Sequence, residues 1–445
     1  SMRGDLAAAE AAFRGMLPSL RQQLGDRHPT TLRGIANLGH VLYQRGAYDE
    51  AEQLLQSALE SSRQRLGPLH DETLSVQLSL AAVVDAKGRR VAAEAMLREV
   101  YAGRLQAYGL VHNRTLTSLH NLAANVLYQE RLAEAEELFA QVAEVSAKLL
   151  GAEHRQSLGT MHNLAFLAWR GGRNDDARTR LRELVPKLER TLGVEHLQTL
   201  QARQLLAAVL TSLGEQDEAL AQHRADLPLL RKVAGEDHPE TWTCQAELAA
   251  LAIAQRRHEE AAPLLTDLVA RRRRVLGDED PPTMQLMNDL MQVELVRQRF
   301  ADAVTVGRDV VALAERRFGH EHPNARLVRG NLAIALERAG DPAEAERLLR
   351  QNLSSAQAAV GEPPPRVVEA GYTLGTYLVR QRRFQEAESA LSAARDAAIA
   401  RLGEEHGLVR VGAKLLAELF EAWHLAEPDP ARDEAARHWR ARAGV

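Results

Sequence analysis

Residues 24–55 read LGDRHPTTLRGIANLGHVLYQRGAYDEAEQLL, and most of the chain is a variation on them. The glycines Gly25, Gly67, Gly109, Gly151, Gly193, Gly235, Gly277, Gly319, Gly361 and Gly403 are spaced by 42 every time. Leucine recurs at the same interval from Leu38 to Leu416, in ten of ten units. The residue after it is glycine or alanine except at Met291, and alanine recurs from Ala51 to Ala387 in nine of nine. A period kept this long without an insertion marks a stacked array rather than a string of globular domains.

Each unit reads as two helices. The first runs from about Pro29 to Arg45, with Leu32, Ile35, Leu38 and Leu42 at helical spacing. Gly46 makes the turn, where a positive φ costs glycine little. The second runs from about Tyr48 to Leu66, carries Ala51, Leu54, Leu55, Ala58 and Leu59 on one face, and is stopped by Gly67. Gly39 and Ala51 are predicted to lie where the two helices cross closely, since a leucine there would overpack by about 1–3 kcal/mol.

Three residues after the turn glycine stands a histidine in eight units: His28, His70, His112, His154, His196, His238, His322 and His406. In the seventh unit Asp280 takes the place, followed by Pro281, and an aspartate before a proline is a helix N-cap signature. The ladder is therefore predicted to cap the first helices. A metal reading fails on distance: consecutive histidines are one helix-packing repeat apart, roughly 8–10 Å or more, whereas ligands must sit about 2 Å from a shared ion.

Residues 1–24 read as a lone second helix, so the chain is expected to be a segment of a longer array. Residues 25–423 form ten repeats, the last irregular. Residues 424–445, with Pro428 and Pro430, read as an insertion and a C-terminal capping helix.

Composition narrows the function classes. Aromatics are 4% of the residues, and the common types are strong helix formers. The net charge of −4 is no footprint for nucleic acid. No apolar run is long enough to cross a bilayer and the start, Ser1-Met2-Arg3-Gly4-Asp5, is polar, so neither a membrane span nor a signal peptide is expected. The single cysteine, Cys244, fits a reducing cytoplasm, and five lysines against 51 arginines suggest a GC-rich bacterial genome. No catalytic constellation rises above the background of a helical chain this long, and no cofactor is implied.

The pattern Leu-Gly-x-x-His-Pro-x-Thr, then Asn-Leu-Gly/Ala, then Gly-x-Tyr-x-Glu-Ala-Glu resembles the long-period tetratricopeptide repeats of kinesin light chains and their bacterial relatives. It is clearest in 24–55, 150–181 and 318–349 and covers the whole chain. The resemblance implies an all-α, right-handed α-solenoid of antiparallel helix pairs, and a scaffold that binds a peptide or protein segment in its concave groove. The tail, Leu416 to Trp423 followed by Glu434 to Arg440, looks like the end of repeat regions that follow bacterial Ser/Thr kinase domains. That implies an alternative role, the regulatory or substrate-recruiting region of a larger signalling protein. No kinase motif is present, and a six-residue insertion after Trp423 departs from that pattern.

In such folds the groove is lined by positions 36, 37, 40, 43 and 44 plus multiples of 42. The residue before the packing leucine is Asn37, Asn121, Asn163 and Asn331 in four repeats. The resemblance implies that this asparagine pairs with the backbone of a bound peptide, and a carboxamide offers both donor and acceptor. The competing reading is that each asparagine bonds a neighbouring helix. Repeats three and four add His120, Tyr128, His162, Phe166, Trp169 and Arg170, the residue types of interface anchors, and repeat one adds His40, Tyr43 and Gln44 as a second subsite. The run Arg271 to Arg274 reads as a solvated face of a second helix rather than as a phosphate site.

Overall fold

A computed structural model describes residues 2–358 and 364–444. The landmark Gly361 lies outside the described residues. Among them there are helices and turns but no strand. The chain divides into two compact units, Ser1–Val233 and Ala234–Val445. The first holds α1 (Met2–Leu24), α2 (Pro29–Gln44), α3 (Tyr48–Leu66), α4 (Asp71–Ala86), α5 (Arg90–Tyr108), α6 (Asn113–Tyr128), α7 (Leu132–Leu150), α8 (Arg155–Arg170), α9 (Asn174–Leu192), α10 (Leu197–Ser212) and α11 (Gln216–Val233). The second holds α12 (Pro239–Ala254), α13 (His258–Leu276), α14 (Pro281–Val296), α15 (Phe300–Phe318), α16 (Pro323–Ala339), α17 (Pro342–Ala358), α18 (Pro364–Arg380), α19 (Phe384–Leu402), α20 (Gly407–Ala426) and α21 (Pro430–Ala443). Within each unit, consecutive helices pack as antiparallel hairpins, and each hairpin stacks on the next.

The histidine ladder caps the first helices. In all eight, Nδ1 accepts the backbone N–H two residues on, at 3.2 Å. Asp280 does the same for the Thr283 N–H at 3.1 Å. The cap matters because the first turn of a helix leaves its N–H groups unpaired. Gly67, at φ 90°, ends α3 in a conformation that a side chain resists.

Packing follows the small residues. A Cβ added to Gly39 would lie 2.7–2.8 Å from three atoms of Leu55 on the partner helix. Gly375 meets Leu391 in the same way at 2.5–2.6 Å. Ala81, Ala123 and Ala249, at the same place in other hairpins, are fully or almost fully buried. The recurrent leucines Leu38, Leu80, Leu122, Leu248, Leu290, Leu332, Leu374 and Leu416 are all buried.

Ion pairs stitch hairpin to hairpin along one edge. Glu94 meets Arg131 at 2.6 Å and Glu136 meets Arg173 at 2.7 Å, with Glu52–Arg89 and Glu346–Arg383 in the same register. One step on from Glu136–Arg173, the acid position holds Arg178 and the base position Glu215, and the two pair with the polarity reversed.

Two sequence expectations need correction. The 42-residue register puts Gly4 where Gly46 makes its turn and so predicts a turn there, but α1 runs from Met2 through Gly4 and none forms. The run Arg271 to Arg274 is not a freely solvated face. Arg271 pairs with Asp267 at 2.8 Å, Arg272 with Asp280 at 2.8 Å, Arg273 with Asp278 at 2.8 Å and Arg274 with Asp237 at 2.9 Å. Arg272 also lies over the Trp242 ring, 5.2 Å from its centroid. After Trp423 the chain continues as helix, so that α20 reaches 20 residues against 16 in α2, and α21 folds back on it with Trp439 under Arg395.

Candidate functional site

The first helices α6, α8 and α10 lie side by side in unit one, and α8 is bordered by two clefts. The first, of about 580 Å³, is lined by the N-terminal halves of α8 and α10, among them Arg155, Gln156, Gly159 and Gln198, and by His120 of α6. The second, of about 460 Å³, lies towards the α6–α7 turn and is lined by Arg90, Tyr128, Glu130, Phe166 and Arg170. His162 and Asn163 border both.

Local sequence explains the first cleft. Gly159 leaves room for Gln198, whose Nε2 a Cβ at that glycine would approach to 3.0 Å. Through that gap Gln198 reaches across from α10 and donates to the Arg155 carbonyl at 3.3 Å. His154 and His196 cap α8 and α10 through Nδ1, so the remaining ring hydrogen sits on Nε2 and is left as a donor. Among the described residues no carboxylate lines this cleft, and its polar lining is made of amides, imidazoles and the one cation Arg155.

His120 sits deeper than its column position suggests. Its ring meets Phe139 edge-on at 5.5 Å, and burial lowers its pKa, which favours the neutral ring. Much of column 36 turns inward: Ala36, Gln204, Asn288 and Tyr372 are buried, although Lys414 is exposed. The cause is the helical period: a residue two before the packing leucine faces the neighbouring hairpin as much as the groove.

The second cleft is aromatic. Arg90 lies 5.9 Å from the centroid of the exposed Tyr128 ring, and Arg170 lies 6.0 Å from that of Phe166. Arg170 also pairs with Glu130 at 3.1 Å. Trp169 does not enter the cleft: it packs edge-on to Phe166 at 5.9 Å, and its indole N–H donates to the Ser212 hydroxyl at 3.0 Å.

The four asparagines part company. Asn163 borders both clefts, and its carboxamide makes no hydrogen bond among the described residues. Asn121 is likewise unbonded among them but borders neither cleft. Asn37 is exposed at the far end of the unit. Asn331, in unit two, donates to Asn288 Oδ1 on the preceding hairpin at 2.8 Å, which is the neighbour-helix role. In the first repeat His40 lies 3.0 Å from Gln44 and stacks on Tyr43 at 6.2 Å, and Tyr43 in turn packs on Tyr48 at 5.9 Å. Burial raises the Tyr43 phenol above its ordinary pKa, so this residue is as much packing as surface.

Arg155, Gln156, Gln198 and Arg90 are lining residues that the groove columns missed. For three of them a signal was available: Arg155, Gln156 and Gln198 stand one or two residues after a capping histidine, and such residues begin the first helices.

Models of the tetratricopeptide repeat match residues 1–61, 32–106, 114–190, 156–225 and 282–358, with a further one at 241–282. The chain belongs to the tetratricopeptide repeat family. Solved structures similar to this tetratricopeptide repeat protein include the nearly identical TPR-like repeats of a Podosopora anserina kinesin light chain, 29% identical over 46% of this chain and 97% of that one, with a TM-score of 0.42. The apo quorum sensor NprR from B. thuringiensis is 13% identical over 84% of this chain and 98% of its own, at a TM-score of 0.50. A signal transduction ATPase with a tetratricopeptide repeat sensor from Pyrococcus horikoshii is 12% identical over 79% and 52%, also at 0.50. These last two share its fold. No curated protein matches the chain. Tetratricopeptide repeat proteins are in general protein-interaction scaffolds. Among the described residues no helix is long and apolar enough to cross a membrane, and no three metal-ligating side chains converge.

Proposed function

We propose that the groove along α8 captures an extended segment of a partner protein and that the chain acts as a non-catalytic scaffold. One observation carries this reading. Asn163 holds a free donor and a free acceptor between two clefts, where a passing peptide unit would satisfy both. The flanking clefts supply the rest. The Tyr128–Phe166 pocket suits an anchoring side chain, and the donor-lined cleft at the N-termini of α8 and α10 suits carbonyls or carboxylates of the same segment. His162, Arg170 and, further along the unit, His40 and Asn37 extend the contact surface.

Replacing Asn163 by Ala, alone and with Asn121→Ala, tests the reading. Partner capture by the immobilised chain should drop by about tenfold or more, the loss of a peptide hydrogen-bond pair in a desolvated groove. The melting temperature should hold, because neither carboxamide supports a neighbour. Retained capture by the double variant rejects the groove. The same capture would serve a recruiting region of a larger bacterial signalling protein such as a Ser/Thr kinase, a role supported by the residue pattern of 416–440, in a reducing cytoplasm.

A further inference from the structure

Unit two carries a second groove of the opposite electrostatic character. The column that holds Asn163 on α8 holds Glu247 on α12, two periods further on, then Asp289 on α14 and Asn331 on α16 at one period each. Beside it, between α16 and α18, lies a cleft of about 460 Å³ lined by Leu327, Ile334, Leu349, Asn352 and Glu369. Leu327 is 56% exposed and Ile334 43%, and their seven-residue spacing puts both on one face of α16, at the cleft.

Many carboxylates in this unit are neutralised by arginine: Asp237, Asp267, Asp278, Asp280, Glu259, Glu294, Glu315, Glu337 and Glu344 each have such a partner. Glu247, Asp289 and Glu369 have no ion pair among the described residues. Asp289 receives the Gln285 amide at 2.9 Å and the Asn288 side chain, both neutral donors. Partial desolvation raises the pKa of both Glu247, which keeps an exposed side chain, and Asp289, which is half-buried. A carboxylate placed so is improved by a cation from outside. At the cleft floor Asn352 is 8% exposed, and its Oδ1 has no hydrogen-bond partner while its Nδ2 donates to the Arg326 carbonyl at 2.8 Å. Two arginines also line the cleft, and neither is free: Arg326 donates to the Glu321 carbonyl, and Arg366 is engaged as well. What the groove has left to offer is acceptors and aliphatic surface.

We infer that the wall formed by α12, α14, α16 and α18 is a second docking surface, for an extended protein segment in which Lys or Arg side chains alternate with aliphatic ones. The basic groups meet Glu247, Asp289 and Glu369, and the aliphatic groups cover Leu327 and Ile334. This surface is independent of the α8 groove, which presents donors instead.

The probe is a short fluorescein-labelled peptide alternating Lys and Leu, titrated with the full chain at low and at physiological salt, with an alternating Glu–Leu peptide and a Lys–Ser peptide as comparisons. The Lys–Leu peptide should bind at least about tenfold more tightly than either. The triple variant Glu247→Gln, Asp289→Asn, Glu369→Gln should lose that margin and most of its salt dependence. Leu327→Ser with Ile334→Ser should abolish the preference for Lys–Leu over Lys–Ser. Asn163→Ala should leave all of this unchanged, which separates the two grooves. Equal binding of Lys–Leu and Lys–Ser peptides, or undiminished binding by the triple variant, overturns the inference and leaves only unspecific attraction to an acidic chain.

Discussion

Replacing Gly39 by alanine sets two effects of known sign against each other. Alanine in place of a mid-helix glycine favours the helix by about 1 kcal/mol. The new Cβ, however, would stand 2.7–2.8 Å from Cγ, Cδ1 and Cδ2 of Leu55 together. No turn of the Leu55 terminus frees all three atoms, so the leucine must leave its rotamer or α2 and α3 must part. Overpacking of this kind costs about 1–3 kcal/mol. The net expectation, about 1 kcal/mol of destabilisation, is confined to the first hairpin because stability in such arrays is a sum over units and their interfaces. The decisive comparison is the same substitution in a Leu55→Ala background. That change alone costs about 2–5 kcal/mol as a buried leucine truncation. With the clash gone, Gly39→Ala should then stabilise by about 1 kcal/mol, the helix-propensity gain alone. Amide hydrogen exchange across α2 and α3, read alongside urea unfolding, measures both. If Gly39→Ala stabilises the wild-type chain as much as the truncated one, close crossing is not why a glycine stands there.

Further outcomes follow from the same geometry. His154→Ala should cost about 1 kcal/mol in exchange protection at the start of α8, and His154→Asn, which can also cap, should recover most of it. Stability should fall as the pH drops from about 6.5 towards 4, because burial lowers the His223 pKa from 6.5 to about 4 and the unfolded chain takes up its proton first. The loss attributable to this residue is on the order of 3 kcal/mol at full extent, and His223→Leu should remove that part of the acid transition in a pH series of melting curves. Arg178→Glu alone should weaken the α9–α11 edge through like-charge contact with Glu215, by about 0.5–1 kcal/mol, and adding Glu215→Arg should restore it in a double-mutant cycle.

The groove was partly legible in advance. The periodic columns named His162, Asn163, Phe166, Arg170 and Tyr128, and the structure brings these together around α8. They could not separate Asn163 from Asn331, because the two residues share the Asn-Leu-Ala motif and the same place on their helices. What differs is the residue 43 positions earlier on the preceding hairpin: Asn288 meets Asn331, whereas His120 stands before Asn163 and turns its ring onto Phe139 instead. Trp169 has the column position of groove surface but not the role, for a similar reason: Ser212 on the next hairpin claims its N–H.

Sequence alone determined what depends on contacts within one repeat. The period, the capping histidines, the turn glycines and the narrow crossing at Gly39 are all local, and each recurs because every hairpin must solve the same backbone problem. Tertiary structure decided whatever depends on the neighbouring hairpin: which carboxamides are free, which arginines are neutralised, and where carboxylates lack a partner. Side chains a full repeat apart in sequence meet only when the hairpins stack, so no reading of one repeat could tell which of its outward groups would still be available.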